Sequence, residues 1–463
     1  MREVNMVYFM KTKAVQQCII PNCGRTYDVY TLKTACEKCG NLVDVRYDDR
    51  PSPTLKEVFN ERRNHRGNIF NESGVWRFRE LINFPGVDCN DFDTYSNVFV
   101  SLDGAEGRTK PFHLTRVAEY VGMRSENFWL QFEGDNPTGS FKDNGMATAF
   151  THAKMLGVKR VTCASTGNTS SSAAAFAANE GIKAIVFMGE GKIAQGKLAQ
   201  TLDYGAQVVQ IRGDFDDAMN RVKELVTKKG FYAVNSLNAF RLEGQKTMIY
   251  RVLAYLKWRV PDWIVFPGGN LGNTSAFGKA LKELYDWGWI KKMPHIAVVN
   301  AEGANTLYKL FNEQDVKWNG GLVNDDVIDT YYTDIKRKGW KAETKASAIE
   351  ILKPVNLKKA LRTLEYTDGL VVQVSDKEML DARAIVGRNG FGCELASAAT
   401  VAGIKKLVSE ERILADDATV GILTGHMLKD PDTIIQYHLN PRNTFSNTPL
   451  VVANDLQSII AIL

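Results

Sequence analysis

The run Asn136-Pro137-Thr138-Gly139-Ser140-Phe141-Lys142-Asp143 places one lysine in a turn rich in Gly, Ser and Thr. An apolar, strand-like run over 128–132 precedes it, and a helix-like run over 146–156 follows. A lysine there sits near a helix N-terminus, where the positive end of the macrodipole disfavours a second positive charge. Desolvation acts in the same direction, so the amine can be neutral and nucleophilic. Alone, a loop lysine is ordinarily a solvated cation. The neighbouring loops decide between the two readings.

Two further loops have the same build. An apolar run over 161–164 enters Ser165-Thr166-Gly167-Asn168-Thr169-Ser170, and an Ala-rich helix follows to Gly181, a suitable residue just past a helix end. A second apolar run, 263–267, enters Gly268-Gly269-Asn270-Leu271-Gly272-Asn273-Thr274 and then a helical stretch to about 287. Strand, glycine-rich turn and helix aim backbone N–H groups and a helix dipole at a phosphate. The spacing is neither the dinucleotide G-x-G-x-x-G nor a P-loop. Tight strand-to-helix turns need glycine for geometry alone, so the turn is informative only beside the lysine. Together they predict a phosphate-bearing cofactor held through an imine, pyridoxal phosphate.

Seven segments, in order, resemble the threonine synthase family. They are Ser140-Phe141-Lys142-Asp143, the 165–170 turn, Gly191-Lys192-Ile193-Ala194-Gln195-Gly196-Lys197-Leu198-Ala199-Gln200 and Arg241-Leu242-Glu243-Gly244-Gln245-Lys246-Thr247. The others are Pro267-Gly268-Gly269-Asn270-Leu271-Gly272-Asn273, Glu394-Leu395-Ala396-Ser397-Ala398-Ala399 and Thr424-Gly425-His426. The resemblance covers about 95–445, and the Arg-Leu-Glu-Gly-Gln-Lys-Thr run is its most specific part. It implies an α/β fold-type II pyridoxal-phosphate enzyme, similar to the tryptophan synthase β chain, with two lobes of mostly parallel sheet. It also implies a homodimer and O-phospho-L-homoserine as substrate. In the implied reaction, phosphate is eliminated from the γ-carbon and water adds at the β-carbon.

Roles carried over from the family fall on named positions. Lys142 would bind the cofactor and act as the base at the α-carbon. Gly269, Asn270, Leu271, Gly272 and Asn273 would hold the cofactor phosphate, Asn168 would meet the ring O3′, and Thr424 the pyridine nitrogen. For the substrate phosphate, Arg241 offers a bidentate fork. Asn238, Ser165, Thr166 and Lys246 are the further candidates. Arg241 has alternative partners in Glu243 or Asp203, and Asn238 an alternative role as a helix cap. Asn144 and Glu394-Leu395 depart from the commoner family residues without removing a catalytic group. The rival reading is a pyridoxal-phosphate β-replacement or dehydratase enzyme acting on serine, threonine or phosphoserine, which the Arg-Leu-Glu-Gly-Gln-Lys-Thr run opposes. Retention of Lys142, Asn168, the glycine turn and Thr424 argues against a non-catalytic relic.

Cys18, Cys23, Cys36 and Cys39 form C-x4-C-x12-C-x2-C, with Gly24 and Gly40 after the second member of each pair. Such knuckles suit one tetrahedral zinc ion. Four protein ligands leave no open position, so the metal would be structural. The flanks 27–30 and 42–45 would be the strands of a small ribbon. Cys89, Cys163 and Cys393 read as buried reduced thiols.

The remaining chain must position these groups. At 463 residues, 44% hydrophobic and 24% charged, with a net charge of +5, it suits a globular enzyme and gives no footprint for nucleic acid. No apolar run approaches membrane-spanning length, and the first residues lack a signal-peptide core, so a cytoplasmic protein is expected. Strand-like runs fall at 158–164, 184–188, 207–212, 232–235, 264–267, 295–300, 370–374 and 420–424, several separated by helical stretches. That alternation predicts parallel sheets with ligands at their C-terminal strand ends. The expected organisation is a ribbon over 1–48, a helical linker over 49–94 and a catalytic unit over 95–463, with a small lobe near 147–240. Within the linker, 57–66 reads as a charged surface helix, its basic run Arg62, Arg63, His65 and Arg66 facing solvent, and 76–81 as an anchor. The tail 431–463 carries no motif.

Overall fold

The strands divide the chain into three sheets in the computed structural model, which describes residues 14–64, 67–82, 84, 96–189, 195–212 and 215–463. β1 (Ala14–Cys18), β2 (Thr26–Tyr27) and β3 (Val43–Tyr47) form a small antiparallel sheet in the order β2-β1-β3. β4 (Pro111–Phe112) and β5 (Phe128–Phe132) open the largest sheet. The chain then leaves it to build a second sheet from β6 (Arg160–Ala164), β7 (Lys183–Gly189), β8 (Gln207–Ile211) and β9 (Tyr232–Ala233). It returns with β10 (Trp263–Pro267), β11 (His295–Ala301), β12 (Leu370–Val374) and β13 (Thr419–Leu423). The large sheet runs β12-β11-β10-β13-β5-β4 and the second β8-β7-β6-β9. Every pairing in these two sheets is parallel except β4 with β5.

The pattern follows from burial. β10 and β13 are buried at every residue, as their unbroken apolar runs require of strands covered on both faces. The Leu395–Ser409 helix is apolar almost all round and packs against β10, β11, β12 and β13. β1 alternates buried and half-buried residues, fitting a sheet with one face turned to the core. The Asn168–Glu180 helix stops at Gly181, which adopts φ 62° in the left-handed region.

Two of the strands that come out shorter than expected end where a polar side chain bonds the backbone. β9 ends at Ala233 because the Asn235 side chain takes over: its Oδ1 accepts from Ala164 N at 3.0 Å and its Nδ2 donates to Ala164 O at 2.9 Å. β2 ends at Tyr27 because the Asp28 carboxylate accepts from Tyr30 N at 2.6 Å, making a turn that competes with the ladder. The linker helix spans Leu55–Asn64, and Trp76–Leu81 is the buried anchor. Arg62 corrects one expectation. It is turned inward, forked onto the Glu80 carboxylate and bonded to Arg77 O, so it does not face solvent. His65, Arg66, Cys89 and positions 191–194 lie outside the described residues. Cys163 and Cys393 are buried thiols as expected, both pushed up to about 12 by desolvation.

The Lys142–Met155 helix crosses the Ala239–Gln245 helix with almost no gap. A Cβ on Gly244 would stand 1.9 Å from Asn144 O, and one on Gly145 2.8 Å from Arg241 Cγ. Beside this crossing Arg251 is buried, donating to Glu133 at 2.8 Å, Asn144 Oδ1 at 3.0 Å and Gly74 O at 3.1 Å. The helix contact thus admits no side chain at Gly244. Gly244→Ala should lower unfolding free energy by about 3 kcal/mol, read as a shift in the urea midpoint at unchanged slope. A shift under about 0.5 kcal/mol would mean that the crossing relaxes freely.

Candidate active site

Lys142 opens its helix directly after the 136–141 turn. That turn is stitched to the end of β13. Phe141 N donates to Thr424 O at 3.0 Å and His426 N to Gly139 O at 2.9 Å. Asp143 holds the turn from inside, accepting from Thr138 N at 2.7 Å and from the Thr138 and Ser172 hydroxyls at 2.6 and 2.5 Å. Among the described residues Lys142 has no hydrogen-bond or ion-pair partner; its Nζ lies 3.9 Å from the centre of the Phe141 ring. Burial depresses its pKa well below that of an ordinary lysine. The Arg241 and Lys197 charges push it lower, against the opposing pull of Glu394. The shift favours the neutral amine, the form able to act as a base and nucleophile.

Three elements surround it. Past β6, the 165–168 turn leaves the N–H groups of Thr166, Asn168 and Thr169 without acceptors among the described residues. Ser165 Oγ accepts from Gly167 N at 3.0 Å, and both Ser165 and Thr166 are partly exposed. Asn168 is buried; its Nδ2 donates to Glu394 at 2.9 and 3.0 Å, while its Oδ1 meets no donor among the described residues. Past β10, Leu271 takes φ 61°, and the consecutive backbone N–H groups from Gly269 to Thr274 donate to no described residue. Gly269 lies so close to the 348–349 backbone that a Cβ would meet Ile349 Cα at 3.0 Å. Past β13, the Thr424 hydroxyl pairs with Ser397 Oγ at 3.0 Å.

This arrangement fits pyridoxal phosphate. The row of free N–H groups at the start of the Gly272–Asp286 helix suits a phosphate. The unpartnered Asn168 amide oxygen and the neutral Thr424 hydroxyl offer contacts to a polar ring, and Lys142 offers a neutral amine for its aldehyde.

A family model for pyridoxal-phosphate dependent enzymes matches residues 102–425. The threonine synthase of Methanocaldococcus jannaschii is 40% identical over 428 residues, 92% of this chain and 96% of the relative. The chain belongs to the threonine synthase family. That of Methanosarcina acetivorans is 36% identical over 420 residues, 90% of this chain and 93% of the relative. Among solved structures, an L-serine ammonia-lyase from Rhizomucor miehei aligns with a TM-score of 0.56 at 16% identity, covering 71% of this chain and 96% of its own. Maize serine racemase gives 0.54 at 18% identity over 71% and 91%. These likenesses establish the fold as that of the fold-type II pyridoxal-phosphate enzymes.

The remaining candidates separate by their partners. Arg241 is 1% exposed, and its Nη1 donates to Val234 O at 2.8 Å and its Nη2 to Thr169 Oγ1 at 3.3 Å. Its Nε has no acceptor among the described residues, and neither Glu243 nor Asp203 pairs with it. Burial lowers its pKa to about 10, so it remains a guanidinium in need of an anion. Asn238 is a cap, accepting from Phe240 N and Arg241 N and donating to Ala233 O, which leaves its amide committed. Lys246 is likewise committed, to Glu243 at 2.6 Å, Glu283 at 2.7 Å and Leu81 O at 3.2 Å. These partners replace the expected phosphate contact of Lys246 with a structural one.

Two buried charges escaped the sequence reading. Lys197, 1% exposed, donates to Ser347 Oγ at 3.0 Å and Asp430 at 3.1 Å and lies 3.6 Å from Glu394. Glu394 ties it to Asn168. Both lie in segments quoted for the family resemblance, and a charged residue within such a segment was the available signal. A cavity of about 1320 Å³ elsewhere, lined by Lys309, Tyr331, Trp340 and Asp376, holds none of these groups.

In the ribbon, the four cysteine sulfurs lie within 4.8 Å of one another, with Cys18 to Cys39 at 3.4 Å and Cys23 to Cys36 at 3.6 Å. A tetrahedral zinc with bonds of about 2.3 Å sets sulfurs about 3.8 Å apart, so the cluster fits that ion.

The depressed pKa of Lys142 has a thermodynamic consequence for the cofactor-free protein. Between its folded value and the unfolded value of about 10.4, only the unfolded chain binds the proton, so folding carries a cost that falls as pH rises. Lys142→Met should therefore raise the urea midpoint of cofactor-free protein near about pH 7, and the gain should shrink toward about pH 10. A gain that does not change with pH would contradict a neutral buried amine.

Proposed function

We propose that this chain converts O-phospho-L-homoserine and water into L-threonine and phosphate, with pyridoxal phosphate held by Lys142, Asn168, the 269–273 turn and Thr424. The observation that carries this reading is Arg241, a buried cation beside the catalytic lysine with no carboxylate partner among the described residues. A substrate that brings its own phosphate supplies the missing anion. Lys197 lies close enough to depress the Lys142 pKa, but Asp430 and Glu394 already pair with it, so Arg241 is the cation left for the substrate phosphate. The substrate carboxylate is the natural acceptor for the free N–H groups of the 165–169 turn, with the Ser165 and Thr166 hydroxyls beside them.

When bound, pyridoxal phosphate withdraws the electrons that the substrate's α- and β-carbons must release. Lys142, neutral in its pocket, takes the α-proton; a β-proton follows before phosphate can leave, and protons return to the γ- and α-carbons afterwards. Arg241 stabilises the phosphate as it leaves the γ-carbon with the bonding pair. Thr424 meets the ring nitrogen with a hydroxyl, which cannot hold a full positive charge there as a carboxylate would. Water then adds at the β-carbon, giving the hydroxyl of threonine. Glu394 holds the Asn168 amide in place and balances Lys197.

The same reading includes a structural zinc in the four-cysteine ribbon, the division into ribbon, linker and two-lobed catalytic unit, and a cytoplasmic homodimer. The apolar residues Leu450, Val451, Leu456, Ile460 and Leu463 of the tail, which are mostly exposed, support a second subunit. No described helix is long and apolar enough to cross a membrane.

Purified, cofactor-loaded protein given O-phosphohomoserine should release phosphate and threonine in equal amounts, and Lys142→Ala should abolish both. Turnover of serine or phosphoserine with none of O-phosphohomoserine would overturn the assignment. Arg241→Met should lower kcat/KM for the phosphate ester by about ten- to hundredfold, the worth of hydrogen bonds to a charged group. Elemental analysis should find one zinc per chain, lost in Cys36→Ser.

A further inference from the structure

The contacts of the small antiparallel sheet with the rest of the chain fall on the helices that carry the site. At the end of β3, the Tyr47 hydroxyl donates to Glu243 at 2.6 Å. Glu243 stands two residues after Arg241 on the Ala239–Gln245 helix and is also gripped by Lys246 at 2.6 Å and Lys279 at 2.7 Å. The Tyr47 ring lies beneath both ammonium groups, at 5.0 and 5.1 Å. Just after β2, the Val29 carbonyl accepts from His152 Nε2 at 2.6 Å, while His152 Nδ1 accepts from the Tyr232 hydroxyl at 2.7 Å. His152 belongs to the Lys142 helix, and its ring stacks on Phe240, the neighbour of Arg241, at 3.5 Å between centres. Asp44 pairs with Lys359 at 2.7 Å and Arg362 at 2.5 Å. These belong to the Leu357–Tyr366 helix, whose Thr363 hydroxyl donates to Thr274 O at 2.9 Å, at the phosphate turn.

The Ala239–Gln245 helix runs through Lys246 into the Thr247–Tyr255 helix, and the packing partners of its first two turns set where Arg241 points. The Lys142 helix bounds it on one side, through Gly145 and Gly244. Tyr47 and the lysines bound it through Glu243. We infer that Tyr47 is a positioning residue for substrate-anion binding: it holds Glu243, and through it the helix that presents Arg241. The ribbon is thus part of the substrate site's scaffold rather than a detached appendage. This inference rests on the reading of Arg241 as the phosphate-binding cation. Burial, and then the Glu243 and Glu283 charges, hold the Tyr47 hydroxyl protonated, so it remains a donor at any working pH.

The test is Tyr47→Phe in the full, cofactor-loaded chain, with inorganic phosphate as the probe. KM for O-phosphohomoserine and the inhibition constant for phosphate should rise together by about three- to tenfold. The kcat should fall by no more than the same factor, and the visible absorbance of the bound cofactor should not change. Unchanged phosphate affinity, or a loss confined to kcat, would overturn the inference, as would a lowered melting temperature with intact binding constants. Should Tyr47→Phe not yield folded protein, Lys279→Met loosens the same carboxylate from its other side and must give the same split. Phosphate binding measured by titration calorimetry on wild type, Arg241→Met and Tyr47→Phe separates the two possible failures. Weak binding in Arg241→Met alone sinks the positioning role, and equal binding in all three sinks the Arg241 reading beneath it.

Discussion

Positive charge gathered in the interior without matching carboxylates is the constraint on which the site depends. Desolvation depresses the Lys142 pKa most, the Arg241 and Lys197 charges add to it, and the Glu394 carboxylate opposes the depression without cancelling it. Two cations can keep their charge: Lys197 because Asp430 and Glu394 neutralise it, and Arg241 because guanidinium deprotonates with difficulty. The third gives up its proton. A neutral lysine is what imine chemistry requires, and an unpaired guanidinium is what a phosphate ester requires. Desolvation and this excess of positive charge together prepare both halves of the site, at some expense in stability of the empty protein.

Keeping that imbalance in place demands close backbone packing. The Lys142 and Arg241 helices touch at glycines, where any larger residue would push the two groups apart. The turn before Lys142 is held by Asp143 from within and by the 424–426 backbone from outside. Ribbon, large sheet and second sheet all contribute contacts to these few helices. The buried network of Arg251, Glu133 and Asn144 fills the space beside the glycine crossing. Asn144, a departure from commoner family residues, here donates to Glu133 and accepts from Arg251.

Much of the fold was legible because unbroken apolar runs have one low-energy solution in a parallel sheet. β5 and β10 have the bounds of the apolar runs at 128–132 and 263–267, and β13 differs from expectation by one residue at each end. Two of the misjudged ends share a cause. At Asn235 and Asp28 a polar side chain bonds the backbone and replaces the next rung of the ladder, which hydropathy does not register. The site was legible where local geometry carries the chemistry. Free N–H groups at the 269–274 turn follow from a glycine-rich strand-to-helix junction, and the position of Lys142 follows from its turn.

By itself, the sequence determined the family and picked out the candidate lysine, the glycine-rich turn and the cysteine knuckles, since each resides in a short contiguous segment. It did not determine which cations bind substrate. Arg241 and Lys246 stand five residues apart on one motif and look equivalent in one dimension. In three dimensions Lys246 meets Glu283 and Leu81, drawn from remote segments, while Arg241 meets a carbonyl and a hydroxyl. Lys197 gains its place beside Lys142 only when the second sheet meets the large one. Whether a charge is spent or available depends on partners distant in sequence, and only the tertiary fold brings those partners together.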